Sequence, residues 1–315
     1  MCHKGIEDAC ASVSLVPQTS GTHEDWNGQM NQGQTAPRPH DARLSVGVIG
    51  TGRVGAVLGA ALVHAGHRVV AASAVSDASR RRAAALLPGV PLVAPDDVPQ
   101  SADLVLLTVP DDALADLVAG LAHTGAIRAG QLLAHTSGRH GLAVLEPATR
   151  RNALPLALHP VLPFTGTDVD LARLSGASFG VTSPEPLRPI AESLVVEMGG
   201  EPVWLPDEQR PLWHAALAHG SNHLVTLVAS AADMLRAAGA DDPGAILRPL
   251  LESALDGALD RGTAALTGPV VRGDAGTVRA HLEVVPEESR EAYLALARLT
   301  AARAGTSDVM QEVLT

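Results

Sequence analysis

The segment between Leu44 and Ser73 constrains the fold more than any other part of the sequence. An apolar run, LSVGVI, leads into three glycines spaced Gly50-x-Gly52-x-x-Gly55, followed by the small-residue stretch AVLGAALVHAG and a second apolar run, HRVVAA. In a strand–turn–helix unit the first glycine permits a tight turn, the second lets the backbone approach a pyrophosphate, and the third lets helix and strand pack closely. An ordinary glycine turn is the alternative. The context favours a dinucleotide-binding turn, completed by Thr51, Arg53 and Val54.

The end of the second apolar run indicates which dinucleotide is expected. Sites that prefer NAD usually carry Asp or Glu there, to bind the ribose 2′-hydroxyl. This chain has Ser73, followed by Ser76 and a run of arginines that begins at Arg80. Hydroxyls and guanidiniums suit a 2′-phosphate, so we expect NADP rather than NAD, although the arginines could also be a solvated helix face. Asp77 is expected to cap the helix that follows.

Apolar runs alternating with helical stretches continue along the chain. The strand candidates are PLVA, SADLVLLTVP, AGQLLAHTSG and NALPLALHP, and DDALADLVAGLAHTG is one of the helices. This alternation predicts an α/β fold with a doubly wound parallel (Rossmann) sheet, in which ligands bind beyond the carboxyl ends of the strands. After Asp207 the sequence becomes helical. We therefore predict a disordered tail over 1–43, a dinucleotide-binding domain over 44–205 and an all-helical substrate and dimerisation domain over 206–315.

Composition excludes several classes of function. The 315 residues carry a formal net charge of −11, which argues against nucleic-acid or anionic-membrane binding because such surfaces are basic. The two cysteines, Cys2 and Cys10, provide neither a disulfide framework nor a zinc pattern, and no metal is expected. No apolar run reaches membrane-spanning length, and no signal peptide is evident, so a cytoplasmic protein is expected. Met30 is an alternative start.

The stretch HAALAHGSNHLVTL, residues 214–227, places polar side chains inside an otherwise apolar helix. We expect this helix to run from a cap at Asp207 to about Ala238. At helical spacing His219, Asn222, His223, Thr226, Ser230 and Asp233 form one polar stripe, His214 and Ser221 share a second face, and Trp213, Leu217, Leu224, Val228 and Leu235 form an apolar face. The stripe either faces solvent or forms the wall of a cleft.

These motifs together resemble a group of bacterial Rossmann oxidoreductases related to pyrroline-5-carboxylate reductase, within the 6-phosphogluconate dehydrogenase superfamily. The resemblance covers most of residues 44–300 and is carried by HTSG, HP, the long helix and LTGPVVRGD. It implies that the glycines hold the pyrophosphate and that a small-molecule substrate binds nearby. By resemblance, the residues bordering the cofactor are Val109, Pro110, His135 and Ser137, and those facing the substrate are His214, Ser221 and Asn222.

The resemblance also implies a second substrate-binding segment. Thr267, Gly268 and Pro269 fall where related reductases place a substrate loop, which a partner subunit of a homodimer sometimes supplies. His159 and Arg272 are two further residues that we expect near the substrate. The alternative interpretation of LTGPVVRGD is a tight turn, with Asp274 capping the next helix.

One departure from the superfamily limits the chemistry. Its hydroxyacid dehydrogenases and ketopantoate reductases use a lysine of the helical domain, whereas the one lysine here is Lys4, in the predicted tail. A histidine, His135 or His214, could donate the proton instead. We expect an NADP-dependent oxidoreductase that acts on a C=O or C=N bond. A non-catalytic NADP-binding sensor or partner-binding protein and a ketopantoate-reductase-like enzyme without the lysine are the alternatives. The substrate and the direction of reaction stay open.

Overall fold

A doubly wound sheet forms the centre of the chain in the computed structural model, which describes residues 43–306 and 308–314. In these residues seven strands have the order β2-β1-β3-β4-β5-β6-β7. All neighbours are parallel except β5 and β6. The strands are β1 Ser45–Ile49, β2 Arg68–Ser73, β3 Leu104–Leu107, β4 Leu132–His135, β5 Leu154–Pro160, β6 Ser178–Thr182 and β7 Glu201–Trp204. The predicted α/β class with a helical C-terminal region is confirmed.

Helices cover both faces of the sheet and make up the chain after β7. Those between or beside the strands are α1 Arg53–His64, α2 Asp77–Leu86, α3 Asp111–Thr124, α4 Glu146–Thr149, α5 Val169–Arg173 and α6 Arg188–Glu197. The C-terminal ones are α7 Arg210–Ala237, α8 Pro243–Arg261, α9 Pro269–Arg272, α10 Ala275–Val284, α11 Glu287–Ala304 and α12 Asp308–Val313. None of the described helices is long and apolar enough to cross a membrane. The proposed domain boundary at 205/206 stays a prediction.

Alternate residues of the central strands pack into separate cores on the two faces of the sheet. Val48 and Leu106 lie in one core with Leu58 of α1. Leu107 lies in the other with Val118 of α3. A third, smaller core is formed by the four C-terminal helices α9, α10, α11 and α12. Strands with apolar residues on both sides are typical of parallel sheets covered by helices.

Three local predictions need correction. PLVA forms only an isolated bridge, between Leu92 and Ala72, because Pro91 at its start and Pro95 just after it lack amide hydrogens for a ladder. Ser76, not Asp77, caps α2, and its hydroxyl accepts from the amide of Ser79.

The third correction concerns the start of the long helix, α7. Asp207 does not cap it but begins a short 3-10 turn, and the carboxylate accepts a hydrogen bond of 2.7 Å from the amide of Leu142. At the other end of the chain, Asp274 caps α10 as the alternative interpretation of LTGPVVRGD requires.

Candidate active site

The glycine-rich turn lies at the carboxyl end of β1, and each glycine has a distinct environment. A Cβ on Gly55 would lie 2.2 Å from Thr108 Oγ1 and 2.3 Å from the Gly50 carbonyl oxygen, so helix α1 and the end of β3 touch at this point. Gly50 has a φ of +95°, which a side chain would strain. A Cβ on Gly52 would meet no atom within 4 Å. Thr108 thus packs against the turn at Gly50 and Gly55, whereas no side chain covers the backbone at Gly52. A pyrophosphate needs access to the backbone at that glycine.

The remaining residues of the predicted cofactor site divide between the interior and the surface. Thr51 is fully buried, and its hydroxyl donates to the carbonyl oxygens of Ser73 and Ser79. Arg53 is exposed at the start of α1, while Val54 is half-buried. Val109 and Pro110 follow β3 at the same edge of the sheet. The side chain of Val109 packs against Gly50, and Pro110 is exposed.

The three residues expected to hold a 2′-phosphate already have partners within the chain. Ser73 is buried, and its hydroxyl accepts a 3.2 Å hydrogen bond from the amide of Gly50. Ser76 forms a capping box with Ser79. Arg80 forms an exposed ion pair of 2.9 Å with Asp77. Their positions beside the end of β2 agree with the sequence pattern, but their polar atoms are engaged elsewhere.

His135 ends β4 and is completely buried. Its Nδ1 accepts from the amide of Ser137, at 3.2 Å, so the ring proton lies on Nε2, which donates to the carbonyl oxygen of Gly141 at 3.0 Å. Burial, with the nearby charge of Arg210, lowers the pKa of His135 to about 3. With both nitrogens occupied and the ring neutral, His135 shapes the HTSG loop, which removes the basis for its predicted role as proton donor. The Ser137 hydroxyl likewise accepts from the amide of His140.

Arg210, in the first turn of α7, is fully buried and ties that helix to the loop after β4. Its guanidinium donates to the carbonyl oxygens of Ser137 and His140, each at 2.6 Å, and to Thr182 Oγ1 and the Gly180 carbonyl oxygen on β6. Burial lowers its pKa to about 10. No local sequence pattern singles out Arg210 as a residue of this site.

Two histidines meet above the loop after β4. Trp213 Nε1 donates to His159 Nδ1 at 3.2 Å, which places the proton of the neutral His159 ring on Nε2. The ring of His214 contacts it edge-on, with centroids 5.8 Å apart. A Cβ on Gly138 would lie 2.5 Å from His214 Cδ2 and 2.8 Å from His159 Nε2, so both rings pack on this glycine. Burial lowers the pKa of His159 to about 4, with further contributions from Arg210 and His214.

The middle of α7 does not show the predicted separation of polar and apolar faces. Residues 219–227 are exposed all round the helix, which includes Ser221 and Asn222 as well as Leu224. His219 and His223 contact each other through Nδ1 atoms 3.0 Å apart. In the part of the chain that the structure describes, no group of three or more His, Cys, Asp or Glu side chains could hold a metal ion.

The segment after α8 packs within the C-terminal helices. Gly268, with a φ of +96°, and Pro269 begin α9, whose Val270 belongs to the third core. Thr267 and Arg272 are exposed. The main contacts of α9 are made with α10 and α11.

Two family models match the sequence, and together they follow the order of the fold. Residues 30–160 match the model of a Rossmann-like domain. Residues 177–300 match that of a domain of unknown function, DUF2520. A comparison with curated proteins gives no match.

Solved structures of oxidoreductases share the architecture over most of the chain. A Bacteroides fragilis protein provisionally named an NADP oxidoreductase is 21% identical, with a TM-score of 0.71 over 82% of this chain and 98% of its own. An imine reductase from Pseudomonas sp. is 20% identical, with a TM-score of 0.62 over 87% of this chain and 100% of its own. A pyrroline carboxylate reductase from Plasmodium falciparum, solved with NADP bound, is 10% identical, with a TM-score of 0.53 over 83% of this chain and 98% of its own. The expected resemblance is confirmed in the fold: this chain has the Rossmann-like domain and helical region of these reductases.

Proposed function

We propose that the protein is an NADP-dependent oxidoreductase that transfers a hydride to or from a small polar substrate with a C=O or C=N bond. The observation that carries the proposal is the joint location of two features at one edge of the sheet. The open glycine turn follows β1, and the pair formed by His159 and His214 stands at the end of β5. The names of the similar solved structures, which include an imine reductase and an NADP-bound reductase, support the same class of reaction.

The two histidines suit different tasks. Because Trp213 occupies Nδ1 of His159 and burial keeps its pKa near 4, this ring presents an uncharged Nε2–H donor that can hold a carbonyl oxygen or an imine nitrogen. His214 is half-buried and has no hydrogen bond in the described chain, so its ring is free to carry a proton to or from that atom. Bound NADPH would supply the hydride, and the protein the orientation and the proton. Ser221 and Asn222, further along α7, are proposed substrate contacts.

Turnover with a panel of cyclic imines and 2-keto acids, followed through NADPH oxidation, tests the proposal. We expect His214→Gln to lower kcat by about 10²–10⁴, the range of a general acid, with NADPH affinity retained. The matched control is His123→Gln, an exposed histidine in the last turn of α3. An unchanged kcat in His214→Gln would remove the proposed role of His214.

A non-catalytic NADP-binding protein is the second candidate, favoured by the exposed polar residues of α7 such as Asn222 and Thr226. Against it, Val225 is 69% exposed and Leu227 is 45% exposed on the same stretch. Apolar side chains are therefore exposed beside the polar ones, which is typical of a surface that binds another protein and not of a solvated polar face. NADPH binding without turnover of any substrate in the panel would favour this candidate.

We also propose that a second copy of the chain covers the exposed middle of α7. Large apolar side chains are bare on α7 and on α8, where Leu250 is 64% and Leu259 77% exposed, and burying them against a partner would stabilise an assembly. A homodimer would also let the Thr267–Pro269 segment of one chain approach the histidines of the other.

Light scattering checks the assembly directly. We expect twice the mass of one chain, and a shift to single chains in Val225→Asp. The same change at Val196, which is 57% exposed on α6, should leave the mass unchanged. A wild-type protein that stays monomeric at micromolar concentration would contradict the homodimer.

A further inference from the structure

The ring of His159 has one nitrogen engaged and one nitrogen free for a ligand. Its Nδ1 accepts the hydrogen bond of 3.2 Å from Trp213 Nε1. Its Nε2 makes no hydrogen bond within the described residues, and, unlike Nε2 of His140, it is not enclosed by the chain. It lies beside Gly138, where a Cβ would come within 2.8 Å of it. The bare backbone of that glycine therefore leaves room for the ring.

Trp213 fixes the charge of this ring as well as its tautomer. An indole N–H can only donate, so Nδ1 of His159 stays an acceptor, and a protonated ring would set two N–H groups against each other. Burial acts in the same direction and is the main cause that lowers the pKa of His159 to about 4. Among the nearby charges, Arg210 supports this shift, whereas Asp111 opposes it and is itself paired with Arg139 at 3.4 Å. His159 is therefore an uncharged donor at neutral pH.

An uncharged N–H donor distinguishes between the two kinds of double bond that a hydride can reduce. A carbonyl oxygen has lone pairs that accept from Nε2–H, and the bond strengthens as negative charge develops on the oxygen. An imine is a good hydride acceptor in its protonated form, in which the nitrogen carries a hydrogen and has no lone pair. Its N–H would then point at the N–H of His159, near the positive charge of Arg210, and like groups placed together are unfavourable.

We infer that the substrate is a ketone or an aldehyde, whose oxygen accepts a hydrogen bond from Nε2–H of His159, and not a protonated imine. The inference rests on the proposed function and selects one of the two bond types that it allows. Trp213 is then a positioning residue, since it keeps the donor on Nε2 without touching the substrate.

The protons and electrons of carbonyl reduction balance with the groups at this site. When bound NADPH supplies a hydride to the carbonyl carbon, the electron pair of the C=O bond moves to the oxygen. The oxygen takes a proton from the ring of His214, which regains one from solvent, so that an alcohol and NADP⁺ result and one proton is consumed. A protonated imine already carries the hydrogen that its nitrogen needs, and His214 would have no proton to give.

Substrates with the same ring test the inference: cyclopentanone against 1-pyrroline, and cyclohexanone against 1-piperideine, each followed through NADPH oxidation. We expect kcat/KM to be at least about tenfold higher for the ketones, because a site built around a hydrogen bond rejects a ligand that cannot complete it. A higher kcat/KM for the cyclic imines would overturn this inference and leave the proposed function intact. If neither these compounds nor the 2-keto acids oxidise NADPH, the proposed function itself fails.

A variant of the positioning residue tests how the preference arises. Trp213→Phe keeps the donor side chain but frees its Nδ1, and it should lower kcat/KM for cyclopentanone by about tenfold and narrow the preference over 1-pyrroline. The control is Trp204→Phe, because Trp204 packs against the guanidinium of Arg188 at 4.2 Å and not against the histidines. An equal loss on ketone and imine in Trp213→Phe would contradict the role of the tautomer.

Nitrogen-15 NMR of the histidine rings gives a readout that needs neither cofactor nor turnover. The signals of His159 are assigned by their loss in His159→Leu. We expect its ring to carry a proton on Nε2 alone down to about pH 5, and to take up a second proton at higher pH in Trp213→Phe. A wild-type ring that is doubly protonated at about pH 6, or that carries its proton on Nδ1, would refute the inference whatever the kinetics show.

Discussion

Replacement of Arg210 by methionine removes the side chain that fastens α7 to the loop after β4. The two hydrogen bonds of 2.6 Å, to Ser137 and His140, are charge-assisted and contribute about 1.5–3 kcal/mol each, while the longer ones to Gly180 and Thr182 contribute about 0.5–1.5 kcal/mol each. Burial opposes this gain and lowers the pKa of Arg210 to about 10, while the carboxylates of Asp207 and Asp111 act in the other direction. The balance predicts a net loss of about 3 kcal/mol in Arg210→Met.

Urea-induced unfolding measures this loss as a shift in the midpoint at constant slope. The control is Arg236→Met, because Arg236 is 60% exposed and forms a surface pair with Asp233 whose removal should change stability by less than about 0.5 kcal/mol. If Arg210→Met is within about 1 kcal/mol of the wild-type protein, the buried guanidinium does not hold the helix to the loop, and the reasoning fails.

Two further predictions concern stability. Gly55→Ala should destabilise the fold by about 1–3 kcal/mol in the same assay, because its methyl would lie 2.2 Å from Thr108 Oγ1; unchanged stability would contradict the tight packing of the turn. The free energy of unfolding should fall as the pH drops from about 6.5 towards 3–4, because the unfolded chain protonates His135 and His159 while the folded chain, with pKa values of about 3 and 4, does not. The fall should be smaller in a His135→Gln, His159→Gln double variant, and an equal fall in both proteins would refute this cause.

The parts of the fold that depend on neighbouring residues could be predicted from the sequence. The turn through Gly50, Gly52 and Gly55 is set by local backbone and packing needs, and its strand and helix follow from short apolar runs. The predicted bounds of α7 lie close to the observed ones for the same reason. The length of this 28-residue helix and its end before Gly239 are set by residues that are near one another in sequence.

The contacts that define the candidate site could not be predicted in this way. Arg210 binds carbonyl oxygens 30, 70 and 73 residues away, and a lone arginine early in a helix carries no local signal of that. Ser73 was correctly located at the end of β2, but its hydroxyl is used by Gly50, a pairing that becomes visible only once the strands are adjacent. In the proposed homodimer the covering of α7 would come from the second chain, and periodicity within one chain carries no signal of such contacts.

The approach of a dinucleotide to Gly52 is the central claim, and the affinity of Gly52→Ala for NADPH tests it most directly. A Cβ at this position would meet no atom of the chain within 4 Å, and its φ of −70° suits any residue, so the variant should unfold at the same temperature as the wild-type protein. The methyl would nevertheless occupy the space that the pyrophosphate needs. We predict unchanged stability with at least a tenfold loss of NADPH affinity by calorimetry. Wild-type affinity in Gly52→Ala would show that no pyrophosphate lies against this turn.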